Sequence, residues 1–288
     1  MKHLFIINPK SGTVSANRRT QVIELIERKA NVYRKNIEIV FTQKAGHATE
    51  LARDAAQKNV DVVVAVGGDG TMNEIAKSLI NSEISMGILP MGSGNGLARH
   101  LGIPMNGQQA IERIFGGQTT QIDAGVINTM PFFCTAGFGF DAFVADRFAR
   151  QPTRGLATYI KTSLGALGTY EAQDYVVNGK TKKLFAMTFA NASQYGNNAF
   201  VAPQADLTDG QLDLVLLRPF PMFMFPDVSA RLFLRNLPSS QFIETFRATN
   251  AVIESKTNFL IHFDGEPLQL NTKRLEVSIR PKCLTVII

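Results

Sequence analysis

Cysteine is nearly absent from this sequence of 288 residues: Cys134 and Cys283 stand far apart and in no metal-ligand spacing. That excludes a disulfide framework and points to a reducing compartment. Long apolar runs are missing as well. Nowhere do the ~18 consecutive apolar residues of a spanning helix occur. The opening MKHLFIINPKSG has too short an apolar run for a secretory signal. Blocks of like charge are also lacking. Up to Asp123, fourteen Lys and Arg face eleven Asp and Glu; after it sixteen face thirteen, so each part carries +3 of the net +6. Aromatics are not interleaved with Lys or Arg, so the basic balance suits acidic small molecules or an anionic membrane surface rather than nucleic acid. The expectation is a soluble, cytoplasmic protein, with peripheral contact at the inner face of the membrane left open.

The chain is long enough for two domains, and 45% hydrophobic residues can fill sizeable cores. From the N-terminus, strand and helix signals alternate. HLFIIN (3–8), IEIVFT (37–42), VDVVVAV (60–66) and SMGILP (85–90) read as strands. Helical spacing lies between them, up to about Ala30 and over His47 to Gln57. Continuous apolar strands alternating with helices predict a mostly parallel sheet covered on both faces. After Asp123 the pattern changes. Phe132 to Ala136 reads as strand, Phe140 to Leu167 as mainly helix, and short β-like runs follow to the end. Asn178-Gly179 and Asp264-Gly265 are hairpin signals. The predicted division is an α/β domain over 1–123, to which C-terminal residues are free to return, and a β-rich domain over 124–288.

The chemistry-bearing motifs sit at strand exits. GGDGTMN (Gly67 to Asn73) follows the third strand, where open α/β sheets place ligands. Glycines let backbone approach a phosphate, and a following helix offers free N–H groups. A plain turn would explain one glycine and Asp69, but not Gly67, Gly68 and Gly70 together. PMGSGNGLARHLGIP (Pro90 to Pro104) repeats the geometry one strand later, and INPKSG (Ile7 to Gly12) closes the first strand with Lys10 in reach of a phosphate. The P-loop pattern is absent, and the dinucleotide fingerprint has the wrong spacing at Gly67. The four histidines have no metal-ligand spacing and read as surface or packing residues.

Taken together, NPKSG, GGDGTMNE, GSGNGLARHLGIP and a late FDGE resemble the diacylglycerol kinase catalytic-domain family, which includes bacterial lipid kinases and the sphingosine and ceramide kinases. The resemblance covers nearly the whole chain in the family's order. It implies an α/β nucleotide-binding lobe, a β-rich sandwich-like second lobe, and ATP in a cleft between them. By the same resemblance Asn8, Lys10, Ser11 and Gly12 form the first nucleotide-contacting loop, and Thr42 lies near the adenosine. Gly67, Gly68, Asp69, Gly70, Thr71, Met72 and Asn73 form the central phosphate loop beside Glu74, and Gly92, Ser93, Gly94 and Asn95 form a second nucleotide contact. Glu266 falls at the proton acceptor with Asp264 as neighbour, and Asp69 at a place to order Mg²⁺ or water. PQADLTDGQLDLV (203–215) resembles a bacterial segment that holds a structural Mg²⁺, which implies Asp209 as ligand, with Asp206 and Gln211 giving mainly backbone oxygens. Asp141 falls where relatives meet the lipid headgroup, unless it is a helix N-cap, and Asp123 is a cleft or hinge contact.

The implied activity is an ATP- and Mg²⁺-dependent kinase of a lipid hydroxyl: diacylglycerol, phosphatidylglycerol or a sphingoid base. NAD kinase shares the GGDGT loop and is the rival enzyme; its downstream N-x-G-x-x-G-F-L segment is missing. A nucleotide-binding, membrane-associated protein without turnover is the rival of another class. The apolar RPFPMFMFPDV (218–228) reads either as core or as a membrane or acyl-chain contact. Lipid is the expected partner, nucleic acid is not, and homodimerisation is left open.

Overall fold

A computed structural model of the chain describes residues 1–11, 16–153 and 155–288, with the side chains of 16–18 also outside the description. The chain forms two compact units, Met1–Ile122 with Lys282–Ile288, and Asp123–Pro281. The first therefore ends one residue before the expected boundary, and the last seven residues of the chain fold with it.

The first unit runs β1 (Lys2–Ile7), α1 (Ala16–Tyr33), β2 (Asn36–Phe41), α2 (His47–Ala55), β3 (Val62–Gly67), α3 (Asp69–Leu79), β4 (Ser85–Pro90), α4 (Gly96–His100), α5 (Gly107–Gly116) and β5 (Thr119–Ile127), the last of which carries the chain into the second unit. Strand order is β2-β1-β3-β4, all parallel. β3 is buried along its whole length, as a Val-rich strand covered on both faces must be. α1 packs with α5, and α2 with α3. The parallel register brings Gly67 beside Pro90, so the exits of β3 and β4 lie at one edge of the sheet.

The second unit continues with β6 (Met130–Phe132), β7 (Thr135–Gly139), α6 (Phe140–Ala149), α7 (Leu156–Leu167), β8 (Gln173–Val177), β9 (Lys180–Leu184), β10 (Ala186–Ala190), β11 (Leu212–Leu217), α8 (Phe225–Phe233), β12 (Ile243–Ala248), β13 (Asn250–Ser255), β14 (Leu260–Phe263), β15 (Glu266–Gln269) and β16 (Arg274–Ile287). The end of β16 returns to the first unit, parallel to β4 through Val286 and Met86. One antiparallel sheet has the order β12-β11-β10-β7-β14-β15. A second runs from β16 through β13 and β8 to β9. Between them lies a core that draws Phe138, Phe189 and Leu214 from the first sheet and Tyr175, Ile253 and Val277 from the second. This is a β-sandwich.

Two differences from the sequence reading have physical causes. The strand expected over Phe132 to Ala136 is split, because Phe133 N, Cys134 N and Thr135 N all donate to the carboxylate of Asp264 instead of a neighbouring strand (2.8–3.0 Å). The helical stretch Phe140 to Leu167 breaks between α6 and α7, where Pro152 and Gly155, the latter at φ +109°, interrupt it.

Candidate functional site

The two glycine clusters of the first unit meet backbone to backbone. A Cβ on Gly92 would stand 2.5 Å from Gly68 Cα, and one on Gly68 would stand 3.1 Å from Gly92 Cα, so neither position has room for a side chain. Met91 N donates to Gly67 O at 2.7 Å and ties the loops where the strands end. A Cβ on Gly67 would strike Thr71 Oγ1 at 2.5 Å. Thr71 is buried and accepts from Asn8 Nδ2 at 3.0 Å, with Ser11 Oγ 3.5 Å away. Asn8 Oδ1 accepts from Lys10 N at 2.9 Å, which shapes the first loop and leaves the Lys10 side chain exposed. Thr42 N donates to Ile7 O at 2.9 Å, so Thr42 joins the exit of β1. Gly12 lies outside the described residues. Beside the first loop is a shallow recess of about 20 Å³, lined by Asn8, Pro9, Ser11, Arg19 and Met91 among others.

Asp69 opens α3, directly after the glycines of the loop. Its oxygens are committed elsewhere: Oδ2 accepts from Asn95 N and Oδ1 from Gly96 N, both at 2.8 Å. Those amides begin α4, which has no side-chain cap of its own. Glu74, one turn on, does the same for α2, accepting from Gly46 N at 3.0 Å and Ala48 N at 3.1 Å. Two acidic residues of α3 thus bind the positive ends of two neighbouring helices. Asn95, buried and left-handed (φ +53°), closes its own loop by exchanging bonds with Gly92. Ser93 stays exposed, and Asn73 and Met72 are buried. What remains toward solvent is glycine backbone and the first turn of α3, whose N–H groups have no intrahelical partners.

In the second unit, Asp264 and Gly265 form a two-residue hairpin turn with φ +49° and +88°, the conformation such turns require. Asp264 is buried and accepts the three amides of Phe133, Cys134 and Thr135, which fixes the turn against the start of β7. Glu266 follows it, exposed, at the first position of β15. Asp141 begins α6 over the sheet row formed by Thr188, Gly137 and His262, which the register sets side by side. Its Oδ2 lies 3.2 Å from Thr188 Oγ1, 3.5 Å from the Tyr195 hydroxyl and 3.2 Å from His262 Nε2. A Cβ on Gly137 would fall 2.5 Å from that oxygen. His262 is 3% exposed, and its Nδ1 has no hydrogen-bond partner. Burial, and then the charge of Asp141, push the Tyr195 phenol well above its ordinary range, so it keeps its proton and donates.

Asp123 is fully buried. Its Oδ2 accepts from Gly210 N at 2.7 Å and its own N–H donates to Leu207 O at 2.7 Å, so it pins the loop expected to hold Mg²⁺. In that loop Asp206 Oδ1 closes a turn on Thr208, and Asp209 Oδ1 accepts from Gln211 N at 3.0 Å. A cation already stands there. Arg247 lies 3.4 Å from Asp209 Oδ2 and 3.3 Å from Asp213 Oδ1, and donates to Gln204 O at 2.8 Å. Among the described residues no three His, Cys, Asp or Glu side chains gather as a metal cluster. Mg²⁺ asks for near-octahedral oxygens at about 2.0–2.1 Å. As folded, the Asp209 and Asp213 carboxylates face a guanidinium and Asp206 faces Thr208.

Sequence reasoning missed Arg247 and the partners of Asp141. His262 is a lone histidine in an apolar run, and Thr188 and Tyr195 reach Asp141 only through strand register and the loop after β10. The helix-binding role of Glu74 was equally unreadable, because the turn TQKAG (42–46) before α2 gives no sign of its partner.

An α/β unit with paired glycine loops at one sheet edge, followed by a β-sandwich unit, is a two-domain plan in keeping with a kinase. The comparisons give the family. Residues 2–127 match the profile described as "Diacylglycerol kinase catalytic domain", and residues 134–288 match "YegS C-terminal NAD kinase beta sandwich-like domain". The chain belongs to this family of diacylglycerol kinase and YegS-type proteins. It is 29% identical over 287 residues to a "Probable lipid kinase YegS-like" of Pseudomonas aeruginosa, covering 96% of this chain and 91% of the relative. It is 31% identical to a "Diacylglycerol kinase" of Mycobacterium tuberculosis, with 75% and 76% covered. A solved diacylglycerol kinase of Bacillus anthracis superposes with a TM-score of 0.76 at 21% identity over 99% of this chain and 96% of that one, which speaks for the fold.

Proposed function

We infer that the chain is an ATP-dependent lipid kinase, transferring the γ-phosphoryl group to a lipid hydroxyl. The observation that carries this reading is the pairing of Gly68 with Gly92, which joins two glycine loops into one backbone surface in a member of this family. ATP enters as its Mg²⁺ complex. Its phosphates lie along Gly67 to Asn73 and Gly92 to Asn95, with the Lys10 ammonium against their charge and Asn8, Ser11 and Thr42 around the rest of the nucleotide. Asp69 orders the site by holding the second loop through Asn95 N and Gly96 N.

The acceptor hydroxyl oxygen forms a bond to the γ-phosphorus as the bond to the β–γ bridging oxygen breaks, and ADP leaves. Glu266, exposed and unencumbered by the turn that carries it, takes the hydroxyl proton. Asp264 positions that turn, and Asp141 meets the polar end of the lipid. Diacylglycerol, phosphatidylglycerol and sphingoid bases all present such a hydroxyl, and we infer that the lipid is met at a bilayer.

Labelled ATP with a lipid extract should place label in the organic phase. Label in NADP instead would favour NAD kinase, a reading kept in view by the NAD kinase likeness of the second domain's profile. No label anywhere would leave a binding protein. Glu266→Gln should lower turnover by about 10²–10⁴ while ATP still binds.

A further inference from the structure

Resting on the lipid-kinase reading, we propose that His262 is a positioning residue for the acceptor lipid: it holds the Asp141 carboxylate in a cradle of donors and ties it to the hairpin that carries Glu266. The cradle is built from one row of the sandwich sheet. Register sets Thr188 of β10, Gly137 of β7 and His262 of β14 side by side. The outer members each carry a donor, and the middle one has no side chain. A Cβ on Gly137 would fall 2.5 Å from Asp141 Oδ2 and 3.1 Å from His262 Nε2, so glycine leaves the gap into which the carboxylate sinks. Asp141 is not there to cap its helix. Gly139 is the N-cap of α6, which has no side-chain cap, and Asp141 Oδ1 reaches only Ala142 N, the next amide, at 2.8 Å.

Proton bookkeeping assigns each donor. An ionised carboxylate only accepts, so His262 Nε2 carries a proton and donates it to Oδ2 across 3.2 Å. Thr188 Oγ1 stands 2.6 Å from the Tyr195 hydroxyl and 3.2 Å from Oδ2, while Tyr195 itself is 3.5 Å from Oδ2. The shorter path therefore runs from Tyr195 to Thr188 and from Thr188 to the carboxylate. Oδ2 is filled in this way. Oδ1, with its single amide, is the oxygen left to accept from a headgroup hydroxyl. Packing alone would not place a histidine at 262. Its strand neighbours Ile261 and Phe263 belong to the apolar core, and Nδ1 is buried with no hydrogen-bond partner among the described residues. An apolar side chain would avoid that desolvation cost. What the histidine adds is the bond to Asp141.

That bond also fixes the hairpin. β14 runs on into the Asp264-Gly265 turn and then Glu266. Asp264, two residues past His262, is held by the amides of Phe133, Cys134 and Thr135. α6 packs on both β14 and β15. The hairpin is thus tied to the start of β7 at Asp264 and to the start of α6 at His262. Asp141 and Glu266 are thereby kept in one relation, which transfer to a bound hydroxyl requires. Without His262 the carboxylate keeps Thr188 and loses its link to the hairpin, so the lipid loses its register on Glu266 while the nucleotide loops of the first unit are untouched.

Kinetics and NMR test this, with water-soluble short-chain diacylglycerol, phosphatidylglycerol and sphingoid base as probes. In His262→Leu, kcat/KM for the lipid should fall about ten- to a hundredfold, with KM for ATP unchanged. His262→Gln, whose amide can donate from the place of Nε2, should recover most of that loss. Thr188→Val should lose lipid kcat/KM and Thr188→Ser should recover it, which keeps a readout if His262→Leu does not fold. Nitrogen NMR of the histidine-labelled wild type should find a proton on His262 Nε2. That signal, identified by its absence from His262→Gln, should shift when short-chain lipid is added. Equal lipid kcat/KM in His262→Leu and wild type overturns the proposal, as does an Nε2 without a proton. A parallel rise in KM for ATP with no recovery in His262→Gln makes His262 a packing residue and overturns it too. If the wild type phosphorylates none of the three lipids yet shows the shift, the cradle stands and the kinase reading falls. Phosphorylation that the variants leave intact keeps the kinase reading and removes the positioning role. Neither phosphorylation nor shift removes both.

Discussion

Asp69→Asn tests whether Asp69 serves to hold the two glycine loops together or does chemistry beside them. In the wild type each carboxylate oxygen accepts one backbone N–H at 2.8 Å, from Asn95 and Gly96. An asparagine offers one acceptor, so one amide keeps a neutral partner and the other faces an NH₂ group. Hydrogen bonds to charged groups contribute about 1.5–3 kcal/mol each, and stranding a buried donor costs about 1–3 kcal/mol. The loops are only partly buried, which places the loss at about 2–4 kcal/mol. At about 2–4 °C per kcal/mol, the melting transition of the unit holding both loops should fall by about 5–15 °C. Calorimetry should show that fall, and titration calorimetry should show ATP affinity weakened at least about tenfold, because the second loop is no longer held against the first. A variant that melts within about 1 °C of wild type and binds ATP equally, yet turns over a hundredfold more slowly, would refute the reasoning and make Asp69 a catalytic group.

The other predictions follow from single contacts. Gly92→Ala drives a Cβ to 2.5 Å from Gly68 Cα and should cost about 1–3 kcal/mol, whereas Gly116→Ala, with nothing within 4 Å, should be neutral or stabilising; chemical denaturation compares the two. Burial first, and Lys35 second, hold the His3 imidazole below 6.5, so the folded state resists its protonation. The stability from neutral His3 is complete above pH 6.5 and drains away as pH falls below it toward the lowered folded value; a His3→Gln variant should show a flatter melting-temperature profile there. If Arg247 supplies the positive charge at Asp209 and Asp213, chelator should leave the melting temperature of the nucleotide-free protein unchanged, while Arg247→Met should lower it. A Mg²⁺-dependent rise in the wild type would return the loop to a metal.

The sequence by itself determined the alternation of strand and helix, because a Val-rich strand buried on both faces and an amphipathic helix have different apolar periods. It also located the glycine loops at the strand exits: glycine where a strand ends is a local requirement of backbone geometry, legible without knowing any neighbour. The hairpin at Asp264-Gly265 was readable for the same reason. What Asp264 does was not, since its three amide partners lie some 130 residues away in the chain. Asp69 shows the same limit. As a carboxylate in a phosphate loop it suggested a metal, and only tertiary structure gave its oxygens the amides of another helix. Strand register assembled Thr188, Gly137 and His262 beneath Asp141, and folding brought Arg247 to the acidic loop. Motifs report what the local backbone must do; the partner of a charge is chosen by whatever the fold sets within about 3 Å of it.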